Sequence, residues 1–404
     1  MKKLGLHSIS TLLLLLSLFV FSCKTSSDPS PASTSVLVSS TLVTKMTKAQ
    51  ILDAGKVLYG SNPLFSLYAG SVIKSNIKVY RIVYNTTNVD KATIKASGLL
   101  IVPDTTLAMP LVSYQHGTIT SDAQAPSYFA PSGEVYSGVS FIASSNYIFS
   151  CPDYLGYGES KTVDHPYQHR ETLAQASLDM LRASKEFLAS QGVNWNKKVM
   201  LTGYSEGGFA TMALQKKIEE QYASEFNLVA STCGAGAYNT TQTTKDLLTV
   251  TNAQPLASAN SLYLWVLTTY NRVYGLNRAM TAIFKEPYAS DITAKGIAAT
   301  ISVSFNKIFL DTFVKGVTDN TDTAFLTALK DNDIYDWKPT TPMILYHGKA
   351  DEVVSVKNTE AAQAAMKARG VTDANLQVVI NDGKTHASMI QDYLLGTYLF
   401  FSSK

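Results

Sequence analysis

The sequence predicts an α/β fold, with a mostly parallel β-sheet flanked by helices and an inserted helical cap. From Pro110 onwards, short apolar runs without polar alternation are separated by helix-like patterns. Strands of this kind are typical of a parallel sheet that is buried on both faces. This alternation of strand-like and helix-like patterns is interrupted between residues 236 and 337 and then resumes, which indicates an insertion between two strands of one sheet. The 404-residue chain is long enough for one large domain of this design.

The first strands differ from those that follow. Residues 72–86 and 92–103 alternate apolar and polar side chains, which predicts an antiparallel pair at an edge of the sheet. Buried strands are then predicted at residues 110–114, 147–151, 197–201, 228–233, 342–347 and 375–380. Helices are predicted at residues 135–145, 173–190, 209–222, 356–369 and 387–401.

Residues 236–338 form the predicted cap. The segment is helix-like and rich in aromatic side chains, most clearly over residues 261–280. We expect most of these aromatic side chains to build the core of the cap itself. The cap divides the α/β core into a first part, residues 41–235, and a last part, residues 339–404.

The N-terminus is typical of an export signal. Two lysines precede an apolar run at residues 9–21 that is too short to span a bilayer, so residues 1–22 are predicted to be a signal peptide. The run ends in Ser-Cys, which resembles the lipobox of bacterial lipoproteins and predicts lipidation of Cys23. The alternative is cleavage nearby, with Cys23 lost or left free. If Cys23 is lipidated, residues 23–40 form a flexible tether that holds the protein at a membrane of the cell envelope, facing the periplasm or the outside.

Charge and cysteine content exclude some classes of protein. The net charge of +3 includes the two signal lysines, and basic blocks are absent from the sequence, so we expect no nucleic-acid partner. Besides Cys23, only Cys151 and Cys233 remain, and they could form a disulfide in an exported protein or stay as two buried free thiols. No residue spacing suggests a metal site, and we predict no cofactor.

The motif Gly203-Tyr204-Ser205-Glu206-Gly207-Gly208 is the strongest chemical signal in the chain. It follows a strand-like run and opens a helix-like run, as a nucleophile elbow does. The turn is so sharp that a Cβ two residues before or after the serine would clash, and Gly203 and Gly207 have none. Ser205 is therefore the predicted nucleophile.

A serine nucleophile needs a base and an acid that orients the base. Asp351 follows a predicted strand, with Glu352 and Asp382 as nearby rivals, and it could instead be a helix N-cap or a solvated loop carboxylate. His386 follows the last strand and is the only histidine downstream of Asp351, although it could merely cap the final helix. The order Ser205, Asp351, His386 is the order of an α/β-hydrolase triad.

Two backbone N–H groups are needed to bind an oxyanion. One is predicted to be that of Glu206, the residue after the nucleophile. The other should lie in the loop after the third predicted strand, Gln115-His116-Gly117-Thr118, where we predict Thr118 as the donor and Gly117 as the second choice. His116 is expected to brace this loop and not to act as a base.

The chain resembles the α/β-hydrolases and, within them, the secretory lipase group. The motifs that carry the resemblance are GYSEGG at residues 203–208, PDYLGYGES at 152–160, HPYQHRETLAQASLDMLRAS at 165–184, HGKADEVV at 347–354 and GKTH at 383–386. The resemblance runs from about residue 110 to the C-terminus and is weak in the cap. It implies a serine carboxylesterase or lipase, with Ser205, Asp351 and His386 as the triad and a small-molecule or lipid ester as substrate. The histidines of the HPY-x-H stretch, His165 and His169, are expected to be structural.

The predicted reaction is transfer of an acyl group to water through an acyl-enzyme, with the cap forming the acyl pocket. Two alternatives remain open from the sequence. A serine peptidase of the prolyl or aminopeptidase type uses the same fold, and Glu286, Asp291 or Asp311 of the cap could then bind a substrate amino terminus. A catalytically inactive, lipid-anchored binding protein is the other.

Overall fold

The computed structural model describes residues 35–59 and 69–404. The predicted signal peptide and Cys23 lie outside the described residues. Within the described part of the chain, nine strands form one sheet in the order β1-β2-β3-β5-β4-β6-β7-β8-β9. The pairings among β1, β2, β3 and β5 are antiparallel, and those from β5 through β4 to β9 are parallel.

The strands are β1 Leu37–Met46, β2 Ile77–Thr87, β3 Thr93–Pro103, β4 Met109–Gln115, β5 Ile148–Pro152, β6 Trp195–Tyr204, β7 Asn227–Gly234, β8 Met343–Gly348 and β9 Leu376–Asn381. The α-helices are α1 Lys48–Tyr59, α2 Ser140–Ala143, α3 Arg170–Ser190, α4 Glu206–Gln221, α5 Thr240–Thr249, α6 Ala257–Val273, α7 Tyr288–Lys295, α8 Asp311–Thr318, α9 Thr323–Asp331, α10 Lys357–Ala368 and α11 Ile390–Ser402. One turn of π-helix, Val135–Val139, leads into α2. The predicted fold class, a mostly parallel sheet flanked by helices, is confirmed.

Helices cover both faces of the sheet because the central strands are apolar on both faces. Neighbouring residues of β4 point to opposite sides. Leu111 belongs to a buried cluster with Leu181 of α3 and Ile218 of α4. Val112 belongs to a second buried cluster, which includes Phe141 of α2. The continuous apolar runs in the sequence therefore reflect two hydrophobic layers.

Strand β1 corrects two predictions: which strands form the edge of the sheet, and where the tether ends. It pairs with β2 on the outside, so the pair β2–β3 does not form the edge of the sheet. The tether was predicted to reach residue 40, whereas β1 begins at Leu37. Most β1 side chains are exposed, so the strand lacks the apolar face by which strands are recognised.

The helical segment between β7 and β8 has a hydrophobic core of its own. Leu264 of α6 and several phenylalanines are buried together, among them Phe284, Phe309, Phe313 and Phe325. Polar contacts join the segment to the rest of the domain: Arg170 Nη2 lies 2.5 Å from Asp331 Oδ1, and the Tyr263 hydroxyl donates to the Val353 carbonyl at 2.7 Å.

Cys151 and Cys233 are buried free thiols, so the alternative of a disulfide is wrong. They lie on β5 and β7, which β4 and β6 separate in the sheet. Burial raises the pKa of Cys233 to about 12 and that of Cys151 well above its usual value. Both thiols therefore stay protonated and are poor nucleophiles. Among the described residues, no helix combines the length and the apolar character needed to cross a bilayer.

Candidate active site

Ser205 occupies a strained turn between β6 and α4. Its backbone has φ 60° and ψ −122°, a conformation that costs a residue with a Cβ of the order of 1–3 kcal/mol. The flanking glycines allow this turn, because a Cβ on Gly203 would lie 2.3 Å from the Gly207 carbonyl oxygen. A Cβ on Gly207 would lie 2.0 Å from the Gln115 carbonyl oxygen. The strain is compensated by the surrounding sheet, which holds the Ser205 N–H in a 2.8 Å hydrogen bond to the Gly234 carbonyl.

Replacing Gly207 by alanine is expected to destabilise the protein by about 1–3 kcal/mol or more, because the added methyl group meets rigid backbone on β4. Urea unfolding followed by circular dichroism measures the change in the free energy of unfolding. Gly70→Ala is the matched control, since a Cβ there meets nothing within 4 Å. Equal stability of the two variants would contradict the tight-turn argument.

The side chains of Ser205, His386 and Asp351 come from three different turns or loops and form a hydrogen-bonded series. His386 Nε2 lies 3.0 Å from Ser205 Oγ, and His386 Nδ1 lies 2.7 Å from Asp351 Oδ2. The Tyr204 hydroxyl donates to the His386 carbonyl at 2.7 Å and so helps to fix the loop that carries the imidazole. Nδ1 faces a carboxylate, so it carries the proton, and Nε2 is left free to accept one from Ser205.

The two rival carboxylates have other partners. Glu352 Oε2 accepts a 3.1 Å hydrogen bond from the His386 backbone N–H, which positions the loop and not the ring. Asp382 pairs with Lys349 at 2.9 Å. Neither carboxylate is within hydrogen-bond distance of the imidazole, whereas Asp351 is.

Asp351 is held by more groups than sequence reasoning identified. Its side chain is fully buried, and its Oδ1 accepts backbone N–H bonds from Val353 at 2.9 Å and Val354 at 2.7 Å. His347 Nε2 lies 3.3 Å from Oδ2. Burial acts to raise the pKa of the Asp351 carboxyl, but the hydrogen bonds from His347, His386 and Val354 outweigh it and hold the pKa well below its ordinary value. The carboxylate therefore stays ionised beside the imidazole.

His347 was missed by the sequence analysis. It lies at the end of β8, and its ring is buried between the Thr359 hydroxyl, 2.7 Å from Nδ1, and the Val354 carbonyl, 2.8 Å from Nε2. A histidine at the end of the strand that carries the acid is the signal that could have indicated it. A ring fixed on both sides gives the Asp351 loop a rigid support.

The predicted oxyanion donors lie in the loop after β4 and at the first residue of α4. The Gly117 N–H donates to Glu134 Oε1 at 3.2 Å, so this group is already in use. Among the described residues, neither the Thr118 N–H nor the Glu206 N–H has a protein acceptor. His116 is buried, its ring nitrogens lie 2.7 and 3.2 Å from the carbonyl oxygens of Gly117 and Asp153, and its ring stacks on Tyr154. These contacts brace the loop and leave Thr118 as the better candidate of the two predicted donors.

An apolar cavity of about 400 Å³ opens at Ser205 and His386. Its lining includes Val139 and Ile142 of the π-helix and α2, Phe149 of β5, and Ile390, Leu394 and Phe401 of α11. From residues 236–338 only Leu262 contributes. The larger of the two cavities that contain Ser205 is therefore built mainly by the α/β core and not, as expected of the acyl pocket, by the cap.

A second, narrow cavity meets Ser205 from the side of the helical segment. Tyr167, Leu247, Tyr263 and Val266 are among its lining residues. Tyr263 and Leu247 also line an adjoining open cleft of about 510 Å³, whose wall includes Gln242, Asn260, Ser304 and Asn358. One side of the serine is thus apolar and the other leads to a more polar space. In the part of the chain that the structure describes, no group of three or more His, Cys, Asp or Glu side chains could hold a metal ion.

The sheet topology and the elbow define the α/β-hydrolase fold. Residues 136–391, more than half of the chain, match the secretory lipase family, and the chain belongs to this family. It is 27% identical over 244 residues to lipase 10 of Candida albicans. That alignment covers 57% of this chain and 50% of the relative, so the chain spans about half the length of the curated lipase it matches.

Solved structures share the fold over nearly the whole chain. A Legionella pneumophila protein named only provisionally as a hydrolase is 25% identical, with a TM-score of 0.77 over 91% of this chain and 98% of that one. The rice cell wall degrading esterase LipA from Xanthomonas oryzae is 24% identical, with a TM-score of 0.74 over 91% and 96% of the two chains. Candida antarctica lipase A in its closed state is 17% identical, with a TM-score of 0.62 over 90% and 83%.

Proposed function

We propose that this protein is a serine carboxylic-ester hydrolase, an esterase or lipase, that works through an acyl-enzyme. The observation that carries the proposal is the hydrogen-bonded series from Ser205 Oγ to His386 at 3.0 Å and from His386 to Asp351 at 2.7 Å. Membership of the secretory lipase family supports an ester as the substrate. The strained elbow supports the same role for Ser205, because it presents the hydroxyl to a cavity.

In the proposed reaction, Ser205 Oγ attacks the ester carbonyl carbon while His386 Nε2 takes the hydroxyl proton. The buried Asp351 carboxylate stabilises the imidazolium that forms. The N–H groups of Thr118 and Glu206 receive the oxyanion of the tetrahedral intermediate. His386 then protonates the leaving alcohol, and water removes the acyl group from Ser205 by the same steps in reverse.

We place the acyl group in the 400 Å³ cavity. Its volume lies in the range of ordinary ligand sites, and its apolar walls suit a hydrocarbon chain. The alcohol part would leave through the narrower cavity on the side of Tyr263. Residues 236–338 would act as a cap that bounds this second side and contributes Leu262 to the first.

The peptidase alternative has less support. The carboxylates that were considered for binding a substrate amino terminus are engaged elsewhere: Glu286 accepts from Ser290, Asp291 pairs with Lys295, and Asp311 pairs with Lys285. None of them lines either of the two cavities that contain Ser205. No carboxylate is therefore available from this set to bind the substrate ammonium group.

The deciding experiment compares p-nitrophenyl esters of increasing acyl length with aminoacyl and prolyl p-nitroanilides, and it tests labelling by a fluorophosphonate probe. We expect turnover of the esters, labelling at Ser205 and no turnover of the anilides. Preferential anilide cleavage would favour the peptidase. An unlabelled Ser205 without turnover of either class would favour the inactive binding protein.

We also propose that Cys23 is lipidated and anchors the protein to a membrane of the cell envelope. The support is the apolar run that ends in Ser-Cys, followed by a polar stretch. Expressed in a bacterial host, the full chain is expected to incorporate radiolabelled palmitate and to sediment with membranes, and Cys23→Ser is expected to do neither. Equal membrane recovery of both forms would contradict the proposal.

A further inference from the structure

The HPY segment of the sequence, His165 to Tyr167, lies between the two candidate oxyanion donors. It was expected to be structural packing, and the triad mechanism gives it no role. His165 and Tyr167 are both almost completely buried. Each makes one side-chain hydrogen bond to a residue whose backbone N–H faces the oxyanion in the proposed mechanism.

Tyr167 contacts the first of these residues. Its hydroxyl lies 2.7 Å from Thr118 Oγ1. Thr118 is otherwise part of an irregular loop, where the rotation of one peptide unit would change the direction of its N–H. A hydrogen bond to a buried, rigid aromatic side chain fixes the Thr118 side chain and, through it, the orientation of the peptide.

His165 contacts the second. Its Nε2 lies 2.8 Å from Glu206 Oε1, and the two side chains are 3% and 1% exposed. Its Nδ1 lies 2.7 Å from the Leu155 carbonyl, which can only accept, so Nδ1 carries a proton. The Nε2–Oε1 contact then requires a second proton on one of its two atoms. This buried pair fixes the side chain of the first residue of α4, whose N–H is the other proposed donor.

One side chain of the helical segment packs against both residues. The Trp265 ring on α6 stacks on Tyr167 with centroids 4.4 Å apart and planes 10° apart. It also packs edge-to-face against the His165 ring, with the ring centroids 5.6 Å apart. A second residue of α6, Tyr270, donates to the Gln168 carbonyl at 2.8 Å. The HPY segment is thus held between α6 and the oxyanion loops.

We propose that Tyr167 and His165 are positioning residues for the two oxyanion donors, and that Trp265 makes their placement depend on α6. The inference rests on the proposed ester hydrolysis. When α6 is packed against the HPY segment, the Trp265 ring supports Tyr167 and His165, which hold Thr118 and Glu206 in place. When α6 moves away, Tyr167 and His165 lose their support and the oxyanion site loosens. The position of the helical segment thereby controls the rate of the chemical step and not only access to the serine.

The test is a double-mutant cycle with Tyr167→Phe and Thr118→Val, each of which removes one hydroxyl and keeps the shape of the side chain. Steady-state kinetics on a short p-nitrophenyl ester should show kcat about tenfold lower in each variant, with KM changed by less than about twofold, because oxyanion stabilisation acts in the transition state. The double variant should be no slower than either single variant. Thr86→Val is the matched control, since it removes a buried threonine hydroxyl that bonds to Asp179, and neither residue lines a cavity at Ser205, so kcat should be kept.

Trp265→Ala is expected to lower kcat to a similar extent, and Trp265→Phe to restore most of it by retaining a stacking ring. The inference would be overturned if Tyr167→Phe kept the wild-type kcat, or if the losses of the two single variants multiplied in the double variant. In either case an active wild-type protein would still support the proposed ester hydrolysis. A wild type that neither turns over esters nor reacts with the fluorophosphonate probe would overturn the proposed function and the inference with it.

Discussion

Replacing Ser205 by alanine is expected to lower kcat for p-nitrophenyl esters by about a million-fold, which leaves only the background rate. The physical reason is that, in the proposed mechanism, Ser205 Oγ is the atom that forms the covalent bond to the acyl group. His386, 3.0 Å from Oγ, would have no proton to take. Initial rates and the loss of fluorophosphonate labelling measure the effect.

Folding of this variant should be unchanged or slightly improved, because alanine and serine adopt the strained backbone at similar cost. Thermal unfolding checks this point. Ser190→Ala is a matched control at the end of α3, where Oγ donates to the Phe187 carbonyl and accepts a long bond from Gln191 Nε2. If Ser205→Ala kept more than about one per cent of the wild-type rate, a serine acyl-enzyme would not be the route.

Replacing Asp351 by asparagine is expected to lower kcat by about ten-thousandfold. The amide has nearly the shape of the carboxyl, so the loop is retained. Its NH2 group would donate to Nδ1 of His386, which moves the ring proton to Nε2 and leaves no acceptor for the Ser205 hydroxyl. The lost charge would also leave the imidazolium of the transition state uncompensated. Pre-steady-state burst kinetics would report the slowed acylation directly.

Glu352→Gln is the matched control for this prediction. It changes a neighbouring, exposed carboxylate that contacts only the backbone N–H of His386, so kcat should change by less than about tenfold. The opposite ranking, with Glu352→Gln slower than Asp351→Asn, would make Glu352 the acid of the site and would contradict the assignment of Asp351.

The parts of the fold that were predictable are those with a one-dimensional signal. The buried parallel strands are continuous apolar runs, and α3 repeats apolar residues at helical spacing, as at Leu178, Leu181 and Leu188. Strand β1 has no such signal, because its side chains are mostly exposed and its strand character comes from hydrogen bonds to β2. The π-helical turn at Val135–Val139 could not be told from an α-helix, since the two differ in hydrogen-bond register and not in composition.

For the site, the order of the strand ends was enough to select Ser205, Asp351 and His386 as a candidate triad, because the strand ends of a parallel sheet converge on one edge. Their side chains do lie within hydrogen-bond distance of one another, and their catalytic role stays a prediction. The supporting contacts were not accessible in the same way. Tyr167 beside Thr118 depends on how a loop turns, and no spacing in the chain encodes that turn. His347 beneath Asp351 left one weak signal, its place at the end of the strand that precedes the acid. The lining of the apolar cavity was not predicted for a related reason: it depends on which helices lie against Ser205 in three dimensions, and Leu262 alone of residues 236–338 lines it.

The π-helix, α2 and α11 contribute much of the lining of the apolar cavity, whereas α5, α6 and the start of α10 contribute much of the lining of the open cleft beyond Tyr263. The two walls share few residues and lie in separate stretches of the sequence. Selectivity for the two halves of an ester could consequently be altered one at a time. A bulkier residue at Leu394 would shorten the acyl chain that is accepted without changing the preference for the alcohol part. A change at Gln242 would alter the preference for the alcohol part without changing the accepted acyl length.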